Sequence, residues 1–400
     1  MKSYILSIFA SKKGEIESLN GIRAIAILMV MTNHLWVSKQ PIMGEMPFWL
    51  SWFVENQTTI VDVFFVMGGF LNYGGILQSY KRENSFPYRK FIINRSLRIL
   101  PAYYAALAFS YYYFSKQVAG LKNIPNPNAD LVWLIDKGQK ALDYVWADGV
   151  FLSNFFPRVL DVGWYISLEQ QIYFIMVVLG PFFLFSKTKK VRVIILSIIY
   201  IIPFLSRCYL YSKGQMNAEA LFWTENRFDS MIAGMLLAEY VDYRPVGESL
   251  GKLKYSLLGI TAIAFISISY SFDWDHFVRL TLANNFYNIA LALIIYLAIQ
   301  KEGIFKTILG LPIFRPLSRI TFTVYLWNIP LMGIATRWAL KGETLVTLSV
   351  LPKLYLICFG FTIIAAWPIF LLIEQPFIWW KENRKFWKIR TRPRLHSLVQ

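Results

Sequence analysis

Residues 21–34 read Gly-Ile-Arg-Ala-Ile-Ala-Ile-Leu-Met-Val-Met-Thr-Asn-His and begin an apolar run that continues to about position 38. A helix needs about 20 mostly apolar residues to cross a hydrocarbon core about 30 Å thick, and a backbone in lipid must satisfy its own hydrogen bonds. The stretch therefore predicts a transmembrane helix. The stretch also carries Arg23 and His34. Because ionisable groups inside a span mark functional sites, it predicts a functional site on this helix.

Similar apolar runs recur along the chain. Of its 400 residues, 56% are hydrophobic and 16% are charged, whereas soluble domains carry about 25% charged residues. The sequence predicts an all-α polytopic membrane protein with one transmembrane domain, residues 1–380, and a basic cytoplasmic tail, residues 381–400. About ten transmembrane helices are expected, near 22–38, 57–76, 99–116, 164–186, 192–208, 228–243, 254–271, 283–300, 317–337 and 354–378.

The net charge of +17 is explained by topology. Lys and Arg concentrate in the connections after the second, fourth, sixth and eighth spans and in the tail, whereas Lys39 is the only cation between the first two spans. Cationic loops stay on the cytoplasmic side, so both termini are expected there. The partner of this charge is the lipid bilayer and not nucleic acid. Two Cys and three His, far apart in sequence, predict no metal site.

Arg23 and His34 are eleven positions apart, which is about three helical turns, so both project from one face with a rise of about 16 Å. Arg23 is expected near the cytoplasmic surface and His34 about halfway across. An imidazole can be neutral near pH 7 and accept a proton, which suits a general base. The alternative is a structural histidine that bonds to a neighbouring helix.

Arg95 and Arg98 lie at helical i, i+3 spacing at the start of the third span. Two guanidinium groups in this arrangement can hold phosphates bidentately. Their alternative role is a positive-inside anchor.

Four further ionisable residues open predicted spans. Asp62 begins the second span, and Glu169 opens the fourth, where it needs a cavity or a polar partner. Arg227 and Asp229 open the sixth span and could pair with Glu169 or with each other.

In order along the chain, these elements resemble the acyltransferase-3 family of membrane acyltransferases. Arg23 to His34 resembles the Arg-x10-His of that family. The other elements that carry the resemblance are Phe64–Phe70, Arg95–Tyr103, Gly163–Phe174, Arg227–Asp229, Ser318–Trp327 and Ile373–Phe377. The series covers residues 18 to 380. Gly68 stands where the family commonly has Ser, and Asn328 where His is common, so His34 is the only intramembrane histidine.

The resemblance implies an acyltransferase acting on groups other than aminoacyl groups, in the bacterial inner membrane. Its donor would be acyl-CoA, usually acetyl-CoA, with no permanently bound cofactor, and its acceptor a hydroxyl of a cell-envelope glycan. It implies His34 as the catalytic base, with Arg23, Arg95 and Arg98 near the donor. Glu169 is expected to orient His34 or the acceptor. Supporting residues would be Asp62, Trp164, Arg227, Asp229 and Tyr325. Some members carry an appended esterase-like domain, and none is expected here.

A secondary transporter or flippase is the competing hypothesis, with His34 and Glu169 as a proton relay, because transporters also bury ionisable groups. Arg23, Arg95 and Arg98 favour the acyltransferase, since a group of arginines suits binding of the CoA phosphates better than it suits a translocation path.

Overall fold

The computed structural model describes residues 6–11, 14–83, 88–243 and 250–383. Within these ranges the chain is helical, and its extended structure is limited to one isolated bridge between Met43 and Val346. Most of the predicted tail, residues 384–400, lies outside the described residues. The long helices of the described chain are α1 (Ser18–Lys39), α2 (Phe48–Glu83), α3 (Tyr88–Lys122), α4 (Gly163–Phe185), α5 (Lys189–Ser212), α6 (Asp229–Tyr243), α7 (Lys252–Tyr270), α8 (Ala283–Ala298), α9 (Phe314–Ala339) and α10 (Leu351–Trp380).

Shorter helices join them. They are Leu6–Phe9, Gln40–Ile42, Ala129–Asp143, Val145–Gly149, Ala220–Phe222, Thr224–Arg227, Phe277–Thr281 and Ile304–Leu309. The last α-helical turns of the described chain, Gln375–Asn383, form the end of α10 and extend it by three residues beyond Trp380.

Every segment predicted to span the membrane falls on one of the long helices, so the all-α prediction is confirmed. In the described chain, six helices are long and apolar enough to cross a membrane: α1, α2, α4, α5, α7 and α10. The other four depart from the simple pattern. α6 and α8 have 15 and 16 residues, fewer than the about 20 that a span needs. α3 and α9 are long but more polar, because they carry residues such as Arg95 and Asn328.

α1 and α2 form the centre of the bundle. Of their most apolar windows, 56% and 67% of the residues are buried inside the protein, against 17% for α5, 11% for α7 and 22% for α10. The three exposed helices therefore present apolar side chains outward, as lipid-facing helices do. α1 packs against α9 and the first half of α2, and α9 packs in turn against α3 and α10. This enclosure places the polar face of α1 inside the protein.

Glycines bring α2 and α6 into close backbone contact. A Cβ on Gly69 would overlap the carbonyl oxygen of Met231, and a Cβ on Gly234 would overlap that of Val66. Small residues let transmembrane helices approach in this way, where lipid supplies no hydrophobic drive for association. The α2–α6 contact therefore depends on glycine at both positions.

Three long helices contain a π-helical turn: Gly69–Tyr73 in α2, Pro181–Phe185 in α4 and Phe370–Glu374 in α10. Such turns are rare and often occur at functional sites, because they turn side chains away from the regular helical register. The turns in α2 and α10 carry Asn72 and Glu374, both of which lie near the arginines described below.

Candidate active site

His34 lies in the second half of α1. At 1.5 Å per residue, it is about 24 Å from Ser18 and about 8 Å from Lys39. The midpoint of α1 falls between Leu28 and Met29. The depth of the imidazole in the bilayer stays a prediction.

Asn328 of α9 is the hydrogen-bond partner of His34. Its Oδ1 lies 2.7 Å from Nδ1 of the imidazole. Its Nδ2 donates to the carbonyl oxygens of Tyr325 at 2.5 Å and Val324 at 3.2 Å. Asn328 is fully buried and His34 partly buried. A bond to a neighbouring helix is what a structural histidine would make, but it leaves Nε2 without a protein partner in the described chain. The sequence did not predict this contact.

The segment 148–162, which precedes α4, lies near the same end of α1 as His34. Asp161 is exposed, lies within electrostatic range of His34 and forms an ion pair with the largely buried Arg158 at 3.5 Å. Tyr325 of α9 holds this segment in place, since its hydroxyl donates a hydrogen bond to the carbonyl oxygen of Val162 at 3.2 Å. Sequence reasoning did not single out Asp161. The supporting residue Tyr325 thus shapes the surroundings of His34 without touching the imidazole through a hydrogen bond.

Asp148 anchors the segment from the other side. Its backbone carbonyl accepts from the Tyr103 hydroxyl at 2.8 Å, and its Oδ2 accepts from the backbone N–H of Val159 at 2.9 Å. Burial raises the pKa of the Asp148 carboxyl to about 6, and the bond from Val159 opposes that rise. The segment is therefore folded against α3 by buried polar contacts, which keeps it over the end of α1.

The three arginines predicted to bind the donor converge at the other end of α1. Arg23 lies within electrostatic range of Arg95 and Arg98, and also of Arg319. Arg319 pairs with Glu15 at 2.7 Å. In the described chain, the three predicted arginines have no carboxylate within ion-pair distance, although Glu15 lies within electrostatic range of Arg23 and Glu374 within that of Arg98. Converging positive charges without a direct ion pair form a favourable site for an anion.

A cavity of about 330 Å³ opens between α2 and α3 beside these arginines. Arg95 and Arg98 line it, together with Arg82 and the amides of Asn72 and Asn94. Its size lies at the lower end of the range typical of small-molecule sites. The lining combines cationic and amide donors, which suits phosphate groups.

Glu169 belongs to the arginine side of the site. Its Oε1 accepts from the Tyr173 hydroxyl at 2.6 Å, and Asn72 Nδ2 donates to the same hydroxyl at 2.5 Å. The guanidinium of Arg95 lies over the Tyr173 ring, 4.8 Å from its centroid. The expected contact of Glu169 with His34 is corrected here, because Asn328 bonds to the imidazole instead. Glu169 lies one helical turn before Tyr173 and finds its partner within α4.

Arg227 is also not the partner of Glu169. Its Nε and Nη2 donate to the two carboxylate oxygens of Asp62 at 3.0 and 2.9 Å, and both side chains are buried. The guanidinium lies 5.7 Å from the ring centroid of Trp164, which stacks on Phe222 at 4.4 Å. Asp62, Trp164 and Arg227 therefore form one buried group that ties α2 to α4 and to the start of α6.

Asp229 belongs to a second buried ion pair. Its Oδ2 accepts from Arg207 of α5 at 2.9 Å and from Asn285 of α8 at 3.3 Å. Arg207 is fully buried and also donates to the carbonyl oxygens of Thr281 and Asn226. Sequence reasoning missed Arg207, although a guanidinium within an apolar run was a visible signal. The suggested pairing of Arg227 with Asp229 is therefore wrong, because each binds a residue on another helix.

Known proteins resemble this chain over most of its length. The family described as an acyltransferase domain matches residues 16–374. The peptidoglycan O-acetyltransferase OatA of Listeria monocytogenes is 23% identical over 336 residues, covering 80% of this chain and 50% of the relative. YrhL of Bacillus subtilis, named as a candidate peptidoglycan O-acetyltransferase, is 22% identical over 348 residues, covering 80% and 49%. A Staphylococcus aureus protein named as a candidate O-acetyltransferase is 23% identical over 384 residues, covering 90% and 57%.

The chain spans about half the length of the curated relatives it matches. No solved structure shows a significant match to it. The family match runs from just before α1 into the last turns of α10, and it includes both His34 and the three unpaired arginines. On this evidence the chain is an integral membrane protein that belongs to the acyltransferase-3 family of membrane acyltransferases.

Proposed function

We propose that this protein is a membrane O-acyltransferase that moves an acyl group, acetyl in our expectation, from cytoplasmic acyl-CoA to a hydroxyl of a cell-envelope glycan. One observation carries the proposal: α1 bears an arginine beside unpaired cationic groups at one end and a histidine with a vacant ring nitrogen at the other. The relative named as a peptidoglycan O-acetyltransferase supports a glycan acceptor.

The proposal includes the arrangement in the membrane. Residues 1–380 form one transmembrane domain in a bacterial inner membrane, all ten long helices of the described chain cross it, and both termini are cytoplasmic. The distribution of Lys and Arg supports this orientation. It puts the arginine end of α1 on the side where acyl-CoA is made, and the His34 end on the side of the envelope.

Donor binding follows from charge. The nucleotide of acyl-CoA carries phosphates that cannot enter hydrocarbon cheaply. Arg95 and Arg98 line the cavity, and Arg23 lies within their electrostatic range. We therefore assign the phosphates to these three residues. The long, thin pantetheine arm then extends along α1 toward His34, about 16 Å away.

His34 acts as the general base in the proposed reaction. The imidazole accepts the proton of the acceptor hydroxyl, and the hydroxyl oxygen attacks the thioester carbonyl carbon. The new C–O bond forms and the C–S bond breaks, so the acyl group moves to the acceptor. The departing thiolate takes the proton from the imidazolium and leaves as free CoA, which restores neutral His34. General-base catalysis of this kind contributes about 10²–10⁴-fold to the rate.

No observation favours the transporter alternative. A relay would need His34 and Glu169 to be linked by hydrogen bonds. In the described chain, His34 bonds to Asn328, whereas Glu169 bonds to Tyr173 at the arginine end.

The decisive experiment measures acyl transfer by the purified full-length protein in detergent or nanodiscs. Radiolabelled acetyl-CoA is supplied as donor and peptidoglycan fragments as acceptor. We expect His34→Ala to insert and fold but to lose transfer by about 10²-fold or more. His276→Asn is the matched control, because His276 is an exposed helix cap and Asn can replace the cap. Wild-type transfer by His34→Ala would remove His34 from the reaction.

A donor-binding measurement tests the arginines separately. Arg23→Ala and Arg95→Ala should weaken acetyl-CoA binding, whereas Arg337→Ala, at an exposed position near the end of α9, should leave it unchanged. Equal affinity in all three variants would exclude this end of α1 as the donor site.

A further inference from the structure

The hydrogen bond between His34 and Asn328 has a defined direction. A neutral imidazole has one N–H and one lone pair, and which nitrogen carries the proton is set by what each nitrogen meets. Nδ1 of His34 meets the side-chain oxygen of Asn328 at 2.7 Å. An amide oxygen can only accept, so Nδ1 must carry the proton. Nε2 is then the nitrogen with the free lone pair.

The amide of Asn328 is locked in this orientation by its own helix. Nδ2 donates to the carbonyl oxygens of Tyr325 and Val324, and a carbonyl can only accept. Turning the amide over would set Oδ1 against both carbonyls and Nδ2 against the imidazole. Because Asn328 is fully buried, water cannot compensate for those lost bonds. The carbonyls of α9 therefore decide the direction of the bond to His34.

We propose that Asn328 is a positioning residue that holds His34 in the Nδ1-protonated tautomer, so that Nε2 faces the acceptor hydroxyl as the base. The catalytic meaning of this inference rests on the proposed function. A carboxylate in the same place would fix the tautomer and also stabilise the imidazolium through its charge. The amide fixes the tautomer without that charge.

The tautomer can be read directly by NMR of protein labelled with 15N-histidine. The chain has only three His residues, and the signal lost in His34→Gln identifies His34. In wild-type protein above the imidazolium range, we expect a protonated Nδ1 and a bare Nε2. Asn328→Leu should release the preference, and Asn328→Asp should keep it. A wild-type signal with the proton on Nε2 would overturn the proposal without any variant.

Kinetics provide the second test. Asn328→Leu should lower kcat about 10-fold or more with little change in the KM for acetyl-CoA. In Asn328→Asp, the carboxylate should stabilise the imidazolium and so shift the acid limb of the pH profile of kcat/KM to higher pH, while transfer is retained. Asn288→Leu is the matched control, since Asn288 is an equally buried asparagine on α8. If Asn328→Asp leaves the pH profile unchanged, the proposed link to His34 is wrong.

The two hypotheses fail in different ways. If the Nδ1 tautomer is found but no acyl transfer occurs with any glycan acceptor, the proposed function fails, whereas the tautomer that Asn328 imposes on His34 stands. If His34→Ala abolishes transfer but Asn328→Leu changes neither the tautomer nor kcat, the positioning role fails and the proposed function stands.

Discussion

Arg227 and Asp229 are two positions apart in the sequence, yet they bind partners on different helices. Arg227 ends the short helix Thr224–Arg227, and Asp229 begins α6. Arg227 turns to Asp62 of α2, and Asp229 turns to Arg207 of α5. At this scale, the sequence identifies which residues are buried and polar, but their partners depend on how the helices pack.

Removing the charge of Asp62 should destabilise the protein strongly. Asp62→Asn leaves the buried guanidinium of Arg227 without a counterion, which typically costs about 3–5 kcal/mol. The control is Asp136→Asn, because Asp136 forms an exposed pair with Lys140 at 2.9 Å, and such a pair contributes about 0–1 kcal/mol. Unfolding of both variants in mild detergent would be followed by the midpoint of thermal denaturation. Equal midpoints would contradict a structural role for the Asp62–Arg227 pair.

Residue by residue, the sequence predicted the arginine end of the site better than the histidine end. Arg23, Arg95 and Arg98 converge as expected because all three lie near the same ends of their helices. Asn328 was read only as the absence of a second histidine. Its role depends on a side-chain bond from α9 to α1, and no local pattern reveals such a bond.

Among the helices, α2 is set by two adjacent glycines that do different things. Gly69 faces the backbone of α6, and there is no room for a Cβ beside the Met231 carbonyl. Gly68 points toward α4, where a Cβ would lie 3.5 Å from the Tyr173 hydroxyl and 3.6 Å from Glu169 Oε1. Those are ordinary contact distances, so position 68 has room for a small side chain.

This difference yields a matched pair of variants. Gly69→Ala should separate α2 from α6 and lower the yield of folded protein, since the obstructing atoms belong to the backbone and cannot turn away. Gly68→Ala should fold normally. Monodispersity on size-exclusion chromatography and thermal stability would be measured for both proteins in the same detergent. Normal folding of Gly69→Ala would show that the helices are not as close as described.

Four of the long helices of the described chain show where prediction at the element scale ends. The sequence correctly placed helices at 99–116, 228–243, 283–300 and 317–337. α6 and α8 are shorter than a full span, and α3 and α9 carry polar side chains such as Arg95 and Asn328, so length and average hydropathy do not identify these four as spans. The number of helices that cross the bilayer therefore remains a prediction that requires a topological measurement.

For the whole molecule, the orientation in the membrane can be tested with single cysteines. In a Cys208→Ser background, Lys137→Cys reports on the segment between α3 and α4, and Lys187→Cys on the connection between α4 and α5. Both lysines are exposed, and Cys358 is buried. In protoplasts or spheroplasts, a membrane-impermeant maleimide should label position 137 and should reach position 187 only after permeabilisation. The reverse pattern would put the arginine end of α1 outside the cell and exclude cytoplasmic acyl-CoA as its ligand.

α1 runs as one uninterrupted helix from Arg23 to His34, so the separation of these residues is a fixed length. In the proposed reaction, this fixed distance sets the length that the donor must have between its phosphates and its thioester. A donor held by its phosphates presents its reactive carbonyl at a depth set by the pantetheine arm and not by the acyl chain. A longer acyl group therefore extends beyond His34 without moving the thioester, so chain-length selectivity belongs to the space past the base. A thioester with a shortened arm cannot span the distance from Arg23 to His34, so it reacts more slowly even where its acyl group is unchanged.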